Sequence, residues 1–159
     1  MSQPKTILVV DDECVIRDLF KRILIRDGYR VCTASEGLRA LKVAGTVHPD
    51  LVLLDMRMPG IDGVETMRRL KCMKPPMAIV MITGYGTKEL AQQAMKLGAH
   101  DYITKPFDIQ TVREIISKCF ELSNLSREVR QLRRRVAREE ASLAAENPDN
   151  FSRNRHGGR

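Results

Sequence analysis

Five short apolar runs rich in β-branched residues alternate with segments of helical periodicity along most of this chain. The runs lie at 6–10, 29–34, 51–55, 77–83 and 101–104. Between and after them, apolar residues recur every three or four positions, as amphipathic helices require. Such an alternation predicts an α/β fold of about 120 residues, a doubly wound parallel sheet with helices on both faces and right-handed crossovers.

Local signals mark where the predicted helices begin and end. Asp62, Thr87 and Asp108 stand at positions typical of N-caps, directly before an apolar-periodic segment. Gly28 and Gly98 stand where two helices should stop. These signals place the helical segments between the predicted strands.

Polar residues follow four of the five predicted strands. Asp11 and Asp12 follow the first, Asp55 ends the third, Thr83 ends the fourth and Lys105 follows the fifth. Taken singly, each is as typical of a helix cap or a solvated loop. Doubly wound sheets, however, bind ligands at the carboxyl ends of their strands. Three carboxylates gathered there repel one another and favour a cation, and hard oxygen ligands with open positions suit Mg²⁺, or Mn²⁺.

Composition is consistent with a single domain plus an appendage. The chain has 159 residues, 43% hydrophobic and 30% charged. No apolar run approaches the ~18 residues of a membrane span, and the first ten residues do not resemble a signal peptide, so a cytoplasmic location is expected. The four cysteines are widely spaced and are interpreted mostly as small buried hydrophobes.

Four stretches together resemble one known family. "VVDDE", "LVLLDMRMPGIDG", "MITGYG" and "DYITKPFD" are similar to the receiver domain of bacterial two-component response regulators, particularly of the nitrogen-regulator and sporulation-relay type. The resemblance covers residues 5 to about 122. It implies the flavodoxin-like strand order 2-1-3-4-5, and the remaining residues contain no recognisable output domain.

The resemblance also implies roles for the strand-end residues. Asp55 would be the phosphoacceptor, and Lys105 and Thr83 would each contact a phosphoryl oxygen. Asp12 would bind Mg²⁺ directly and Asp11 largely through water. The carboxylate of Asp55 and the backbone carbonyl of Arg57 would complete the metal ligands.

Further expectations from the family concern switching and the lifetime of the phosphoryl group. Thr83 and Tyr102 resemble the switch pair that changes the face formed by the fourth helix, fifth strand and fifth helix. The bond before Pro106 is expected to be cis. Arg57 and Tyr85, each two residues beyond a site residue, are large enough to obstruct the attacking water, which predicts slow self-dephosphorylation.

Three segments are predicted: a receiver domain at 1–122, a helical extension at 123–146 and a basic disordered tail at 147–159. Residues 123–159 carry a net charge of +4 and residues 1–122 a net +3, together the +7 of the chain. A basic tail could touch nucleic acid or an acidic partner, but a solvated tail is the favoured interpretation, so nucleic-acid binding is not expected.

The fifth helix is predicted to continue from Leu122 to Leu143, because apolar residues recur there with the 3.5-residue period of a coiled-coil seam. These residues are Leu122, Leu125, Val129, Leu132, Val136 and Leu143, with Glu139 interrupting the series. We predict a homodimer through this helix and the face of the fourth and fifth helices, weak without phosphate and tighter with it. A helix folded back on its own receiver, or docked on a further domain, remains the alternative.

Two other functions compete with a phosphorylated switch. A haloacid-type phosphatase also uses a nucleophilic aspartate after a strand, but it needs a second acid where this chain has Arg57. A receiver-like dimeric scaffold that no longer needs phosphate is the second alternative, which the complete acidic set disfavours. The favoured hypothesis is a phosphoacceptor signalling protein, not a turnover enzyme, that is phosphorylated by a histidine kinase or phosphotransfer protein and acts on a downstream partner.

Overall fold

A computed structural model describes residues 3–74, 76–84 and 88–146. Within these residues, five strands alternate with five helices. The strands are β1 (Thr6–Val10), β2 (Arg30–Ala34), β3 (Leu51–Asp55), β4 (Ala78–Thr83) and β5 (Asp101–Thr104). The helices are α1 (Cys14–Arg26), α2 (Gly37–Val47), α3 (Gly63–Lys71), α4 (Lys88–Lys96) and α5 (Ile109–Glu146).

The strands form one parallel sheet in the order β2-β1-β3-β4-β5. This confirms the doubly wound fold and the flavodoxin-like order. The order reverses between β1 and β3, so a cleft opens at the carboxyl ends of these two strands. Asp55 is aligned with Ile82 of β4, and Thr83 with Thr104 of β5, which brings the ends of the three strands to one edge.

Alternate residues of each central strand face two separate apolar layers. Leu8 and Val10 of β1 belong to the apolar layer that includes residues of α2, α3 and α4, whereas Ile7 and Val9 belong to the layer that includes residues of α1 and the first part of α5. Strands covered on both faces are apolar throughout, as the uninterrupted run of β3 requires. The core therefore holds the carboxyl ends of β1, β3 and β4 in fixed positions.

Most predicted boundaries are confirmed. The Asp62 carboxylate accepts a hydrogen bond from the Glu65 backbone at 2.8 Å, and Asp108 accepts one from the Thr111 backbone at 3.2 Å, so both are N-caps. Gly28 and Gly98 adopt positive φ angles of 92° and 99° just beyond α1 and α4. The cap predicted at residue 87 lies outside the described residues.

The prediction that most of the cysteines are buried was wrong. Cys119 is buried and Cys32 is half-buried, but Cys14 and Cys72 are exposed. Cys14 is the first residue of α1 and Cys72 follows the last residue of α3. Both exposed cysteines therefore lie at helix ends that the apolar layers do not cover.

The chain divides into two compact units, residues 1–120 and 121–159. The first contains the whole sheet. The described part of the second, residues 121–146, is the C-terminal portion of α5 and is exposed except at Ser123, which is half-buried. No helix among the described residues has the length and apolar character needed to span a lipid bilayer. The tail predicted at 147–159 lies outside the described residues.

Candidate functional site: an acidic cleft at the sheet edge

The cleft is built around Asp55, the last residue of β3. Its neighbours along the strand are fully buried, and Asp55 itself is only 5% exposed. Burial and the nearby Asp11 carboxylate raise the pKa of Asp55 to about 6, although Lys105 and a backbone hydrogen bond from Arg57 act to lower it. Asp55 is therefore a carboxylate in an unfavourable position that a cation would stabilise.

Two further carboxylates face Asp55 from the end of β1. Oxygen atoms of Asp11, Asp12 and Asp55 all lie within 4.8 Å of one another. Asp11 is fully buried, whereas Asp12 is exposed. The sequence-based prediction that these residues converge is confirmed in this geometry.

Lys105 supplies the positive charge in the cleft. Its Nζ lies 3.0 Å from Asp11 Oδ2 and 3.8 Å from Asp55 Oδ2, and it also approaches Glu13 at 3.5 Å. Burial lowers the pKa of Lys105, but the hydrogen bond to Asp11 and the surrounding carboxylates raise it overall. The side chain is thus held in its charged form within reach of the phosphoacceptor candidate.

The backbone around Lys105 fixes where its side chain starts. The Lys105 backbone N–H donates to the Thr83 carbonyl at 2.7 Å, which ties the end of β5 to the end of β4. The Lys105–Pro106 peptide bond is cis, as expected. Thr83 is buried, and its hydroxyl lies 3.5 Å from the Ile103 carbonyl, so it has only a weak partner.

Arg17 of α1 binds the loop that carries Asp11 and Asp12, a contact that sequence reasoning missed. Its Nη1 donates to the backbone carbonyls of both Asp11 and Asp12, at 2.7 and 2.9 Å. Asp11 is further held because its Oδ1 accepts the Glu13 backbone N–H at 2.9 Å. An arginine one turn into an amphipathic helix carries no sequence signal that separates it from a solvated residue.

The two carboxylates of the β1 loop differ in how many partners they already have. Both Asp11 oxygens are engaged, one by the Glu13 backbone and one by Lys105. Among the described residues, no hydrogen bond or ion pair engages the Asp12 carboxylate. Asp12 is therefore the better direct ligand for a cation, and Asp11 is better placed to act through water.

The cleft fits a small divalent cation. Three carboxylates against one lysine leave a formal charge of −2, and oxygen is the only donor type that these side chains offer. A divalent ion would balance that charge, and all-oxygen sites with few protein ligands are typical of Mg²⁺. The residues thus fit the metal that the sequence pattern predicts.

Gly63, the first residue of α3, allows the loop after Asp55 to close tightly. A Cβ built on Gly63 would collide with the Asp55 carbonyl oxygen and with Met56 Cα, both backbone atoms. The Gly63 N–H instead donates to the Met56 carbonyl at 3.0 Å. Close packing of α3 on the end of β3 therefore requires glycine here.

The remaining predicted site residues lie around this cleft or outside the described residues. Arg57 is exposed on the loop after β3, and Tyr102 of β5 is 36% exposed. Tyr85 lies outside the described residues, so its predicted role stays a prediction.

Comparison with protein families identifies the chain. The model of the response regulator receiver domain matches residues 7–129. The chain belongs to the response regulator receiver family. It is 38% identical over 118 residues to the sporulation initiation phosphotransferase F of Bacillus subtilis, covering 74% of this chain and 95% of that protein.

Solved receiver structures show the same fold. NtrX from Brucella abortus, in complex with ADP, superposes with a TM-score of 0.78 at 37% identity, covering 84% of this chain and 30% of that one. A receiver domain protein from Clostridium thermocellum superposes with a TM-score of 0.72 at 35% identity, covering 76% and 98%. This receiver thus spans less than a third of NtrX but nearly all of the other two proteins.

Proposed function

We propose that this receiver accepts a phosphoryl group on Asp55 from a phosphohistidine of a sensor histidine kinase or phosphotransfer protein. The observation that carries the proposal is the nearly buried Asp55 carboxylate, facing Asp11 and Asp12, with the Lys105 ammonium 3.8 Å away. Membership of the response regulator receiver family is the reason for proposing a phosphohistidine as the phosphoryl donor.

The chemistry follows from the charges in the cleft. An Asp55 oxygen attacks phosphorus, the bond from phosphorus to the donor nitrogen breaks, and the imidazole leaves with its electron pair and takes up a proton. Mg²⁺, when bound, would neutralise negative charge on the phosphoryl oxygens. Asp12 would hold it directly, Asp11 through water, and the Arg57 carbonyl and Asp55 would complete the protein ligands.

Lys105 and Thr83 would share the remaining phosphoryl oxygens. The Lys105 ammonium lies between the carboxylates of Asp11 and Asp55, so it can donate a hydrogen bond to a phosphoryl oxygen on Asp55. The Thr83 hydroxyl, whose contact with the Ile103 carbonyl is long, can exchange it for a phosphoryl oxygen. Both side chains would stabilise the acyl phosphate, and neither would accept a proton during the reaction.

Output would follow from the position of Thr83 next to β5. If Thr83 moves toward the phosphoryl group, space opens behind it for the ring of Tyr102, which is partly exposed on β5. The surface of α4, β5 and the first part of α5 would then change shape. We propose that a downstream protein or a second copy of the receiver recognises that surface.

Intact-mass spectrometry after incubation with Mg²⁺ and acetyl phosphate tests the proposal. We expect one added phosphoryl group in the wild type, none in Asp55→Asn and none in the presence of EDTA. The variant Asp18→Asn, with an exposed carboxylate on α1, is the matched control and should be phosphorylated normally. A wild-type protein without adduct would favour the phosphate-independent scaffold, and an adduct retained in Asp55→Asn would place the acceptor elsewhere.

A further inference from the structure

The C-terminal portion of α5, residues 121–146, exposes a continuous apolar stripe. Its members are each between 42% and 66% exposed: Leu122, Leu125, Val129, Leu132, Val136 and Leu143. In the heptad nomenclature abcdefg, with Leu122 at position a, they occupy only a and d positions. An a/d stripe of this kind is the narrow seam of a coiled coil, not the wider face of a helix that packs on a globular core.

Polar residues cover the rest of this segment in an ordered way. Positions b, c and f, opposite the seam, carry no acidic residue between 123 and 145. They carry four arginines, namely Arg127, Arg130, Arg134 and Arg138. An anionic membrane surface would favour basic residues along both flanks of the apolar stripe. The charged residues of the flanking e and g positions are instead two acids and two arginines: Glu128, Arg133, Arg135 and Glu140. The arrangement therefore favours a protein partner on the seam.

We infer that the partner is a second copy of this chain, aligned in parallel over residues 122–143. The choice of side chains at the seam supports two parallel strands, because β-branched valine occupies a positions 129 and 136 while leucine occupies d positions 125 and 132. The inference does not depend on phosphorylation of Asp55.

Surface shape agrees with this pairing. A shallow groove of about 320 Å³ on the segment is lined by Val129, Leu132, Arg133, Val136 and two further residues. These four residues occupy positions a, d, e and a, which is the set that receives a d-position knob in a parallel coiled coil. Leu132 of the second copy is the knob that this register places there.

Charges beside the seam select the orientation. In a parallel pair, Glu128 at position g faces Arg133 of the second copy at position e, and Arg135 faces Glu140 in the same way. In an antiparallel pair of similar overlap, Glu128 would instead face Arg135, and Arg133 would face its own counterpart. Parallel pairing therefore leaves no like-charge contact at these positions.

Sedimentation velocity of the full chain without Mg²⁺ or phosphate donor tests the dimer over a roughly 100-fold concentration range. We expect a species of twice the 18.1 kDa chain mass at high concentration. Leu125→Glu with Leu132→Glu should weaken association at least about tenfold, because two charges would enter the seam. The matched control, Asn124→Glu with Gln131→Glu, adds the same charge at c positions and should associate like wild type.

Two further variants keep the inference falsifiable if the seam double variant misfolds. Glu139→Leu restores the interrupted d position and should tighten the dimer. Glu128→Arg should weaken it, and Arg133→Glu added to Glu128→Arg should restore it. A monomer at all concentrations, unchanged association in the seam variant, or no tightening by Glu139→Leu would overturn the dimer. Restoration by Arg135→Glu in place of Arg133→Glu would overturn the parallel arrangement.

The dimer and the phosphoacceptor proposal fail separately. The dimer should persist in Asp55→Asn, which removes the acceptor and leaves the seam unchanged. Loss of phosphorylation with an intact dimer would overturn only the proposed chemistry, and a monomeric protein that is still phosphorylated would overturn only the seam.

Discussion

Removing the charge of Asp55 is expected to make the metal-free protein more stable, although Asp55 is the centre of the proposed site. Folding places this carboxylate in a nearly buried position facing Asp11, and the pKa of Asp55 rises from its ordinary value of 3.8 to about 6. In the unfolded chain the same group is solvated. Ionisation of Asp55 therefore destabilises the folded state relative to the unfolded chain.

The size of the penalty follows from the two pKa values. Raising a pKa from 3.8 to about 6 disfavours the ionised form by about 3 kcal/mol, at roughly 1.4 kcal/mol for each factor of ten. The sign is that of an acid whose pKa is raised on folding, so the folded state binds more protons. Below about pH 4, Asp55 is protonated in the folded protein and does not reduce the free energy of unfolding. That free energy falls as the pH rises through about 6 and Asp55 ionises.

Replacing Asp55 by asparagine removes the charge and keeps an oxygen that can accept the Arg57 backbone N–H. In urea unfolding followed by circular dichroism at pH 8 with EDTA, we expect Asp55→Asn to be more stable than wild type by up to about 3 kcal/mol. The advantage should shrink as pH falls from 7 to 5. Asp18→Asn, which removes an exposed carboxylate on α1, should change stability little across this pH range.

Addition of Mg²⁺ should reverse the order. The proposed metal site exists only in the folded state, so bound Mg²⁺ would stabilise the wild type by mass action, and Asp55→Asn would lack one of the proposed ligands. Equal or lower stability of Asp55→Asn at pH 8 in EDTA would refute the reasoning, since it would mean that Lys105 already compensates the buried charge in full.

Three other changes probe the surroundings of the cleft. Gly63→Ala should destabilise the fold by about 1–3 kcal/mol in urea unfolding, because its Cβ meets backbone at the end of β3, whereas Gly84→Ala, with open space around it, should cost less. Arg17→Lys should weaken Mg²⁺ binding in calorimetry by about tenfold, since one ammonium cannot reproduce the guanidinium contacts with two carbonyls, while Arg22→Lys on the exposed side of α1 should not. Arg57→Ser should shorten the half-life of the phosphoryl group by at least about twofold in timed intact-mass measurements, because it opens the path of the attacking water; an unchanged half-life would contradict that role.

The sequence by itself determined the architecture and most of the acidic cleft. Helix and strand periodicities are local, so the alternation of five runs with helical segments was sufficient to predict the parallel sheet. Because the carboxyl ends of parallel strands share one edge, Asp11, Asp12, Asp55 and Lys105 could be placed together before any contact was known. The N-caps at Asp62 and Asp108 were equally local.

Only the tertiary structure determined which hydrogen bonds and ion pairs these groups form with one another. Lys105 and Asp11 are 94 positions apart, and nothing in either local sequence shows that their ion pair is shorter than the one between Lys105 and Asp55. The contacts of Arg17 are not visible in the local sequence either, because they depend on how α1 packs against the loop after β1. Hydrogen bonds and pKa values depend on distances of a few ångströms between elements, and these distances are set by the packing of the whole core.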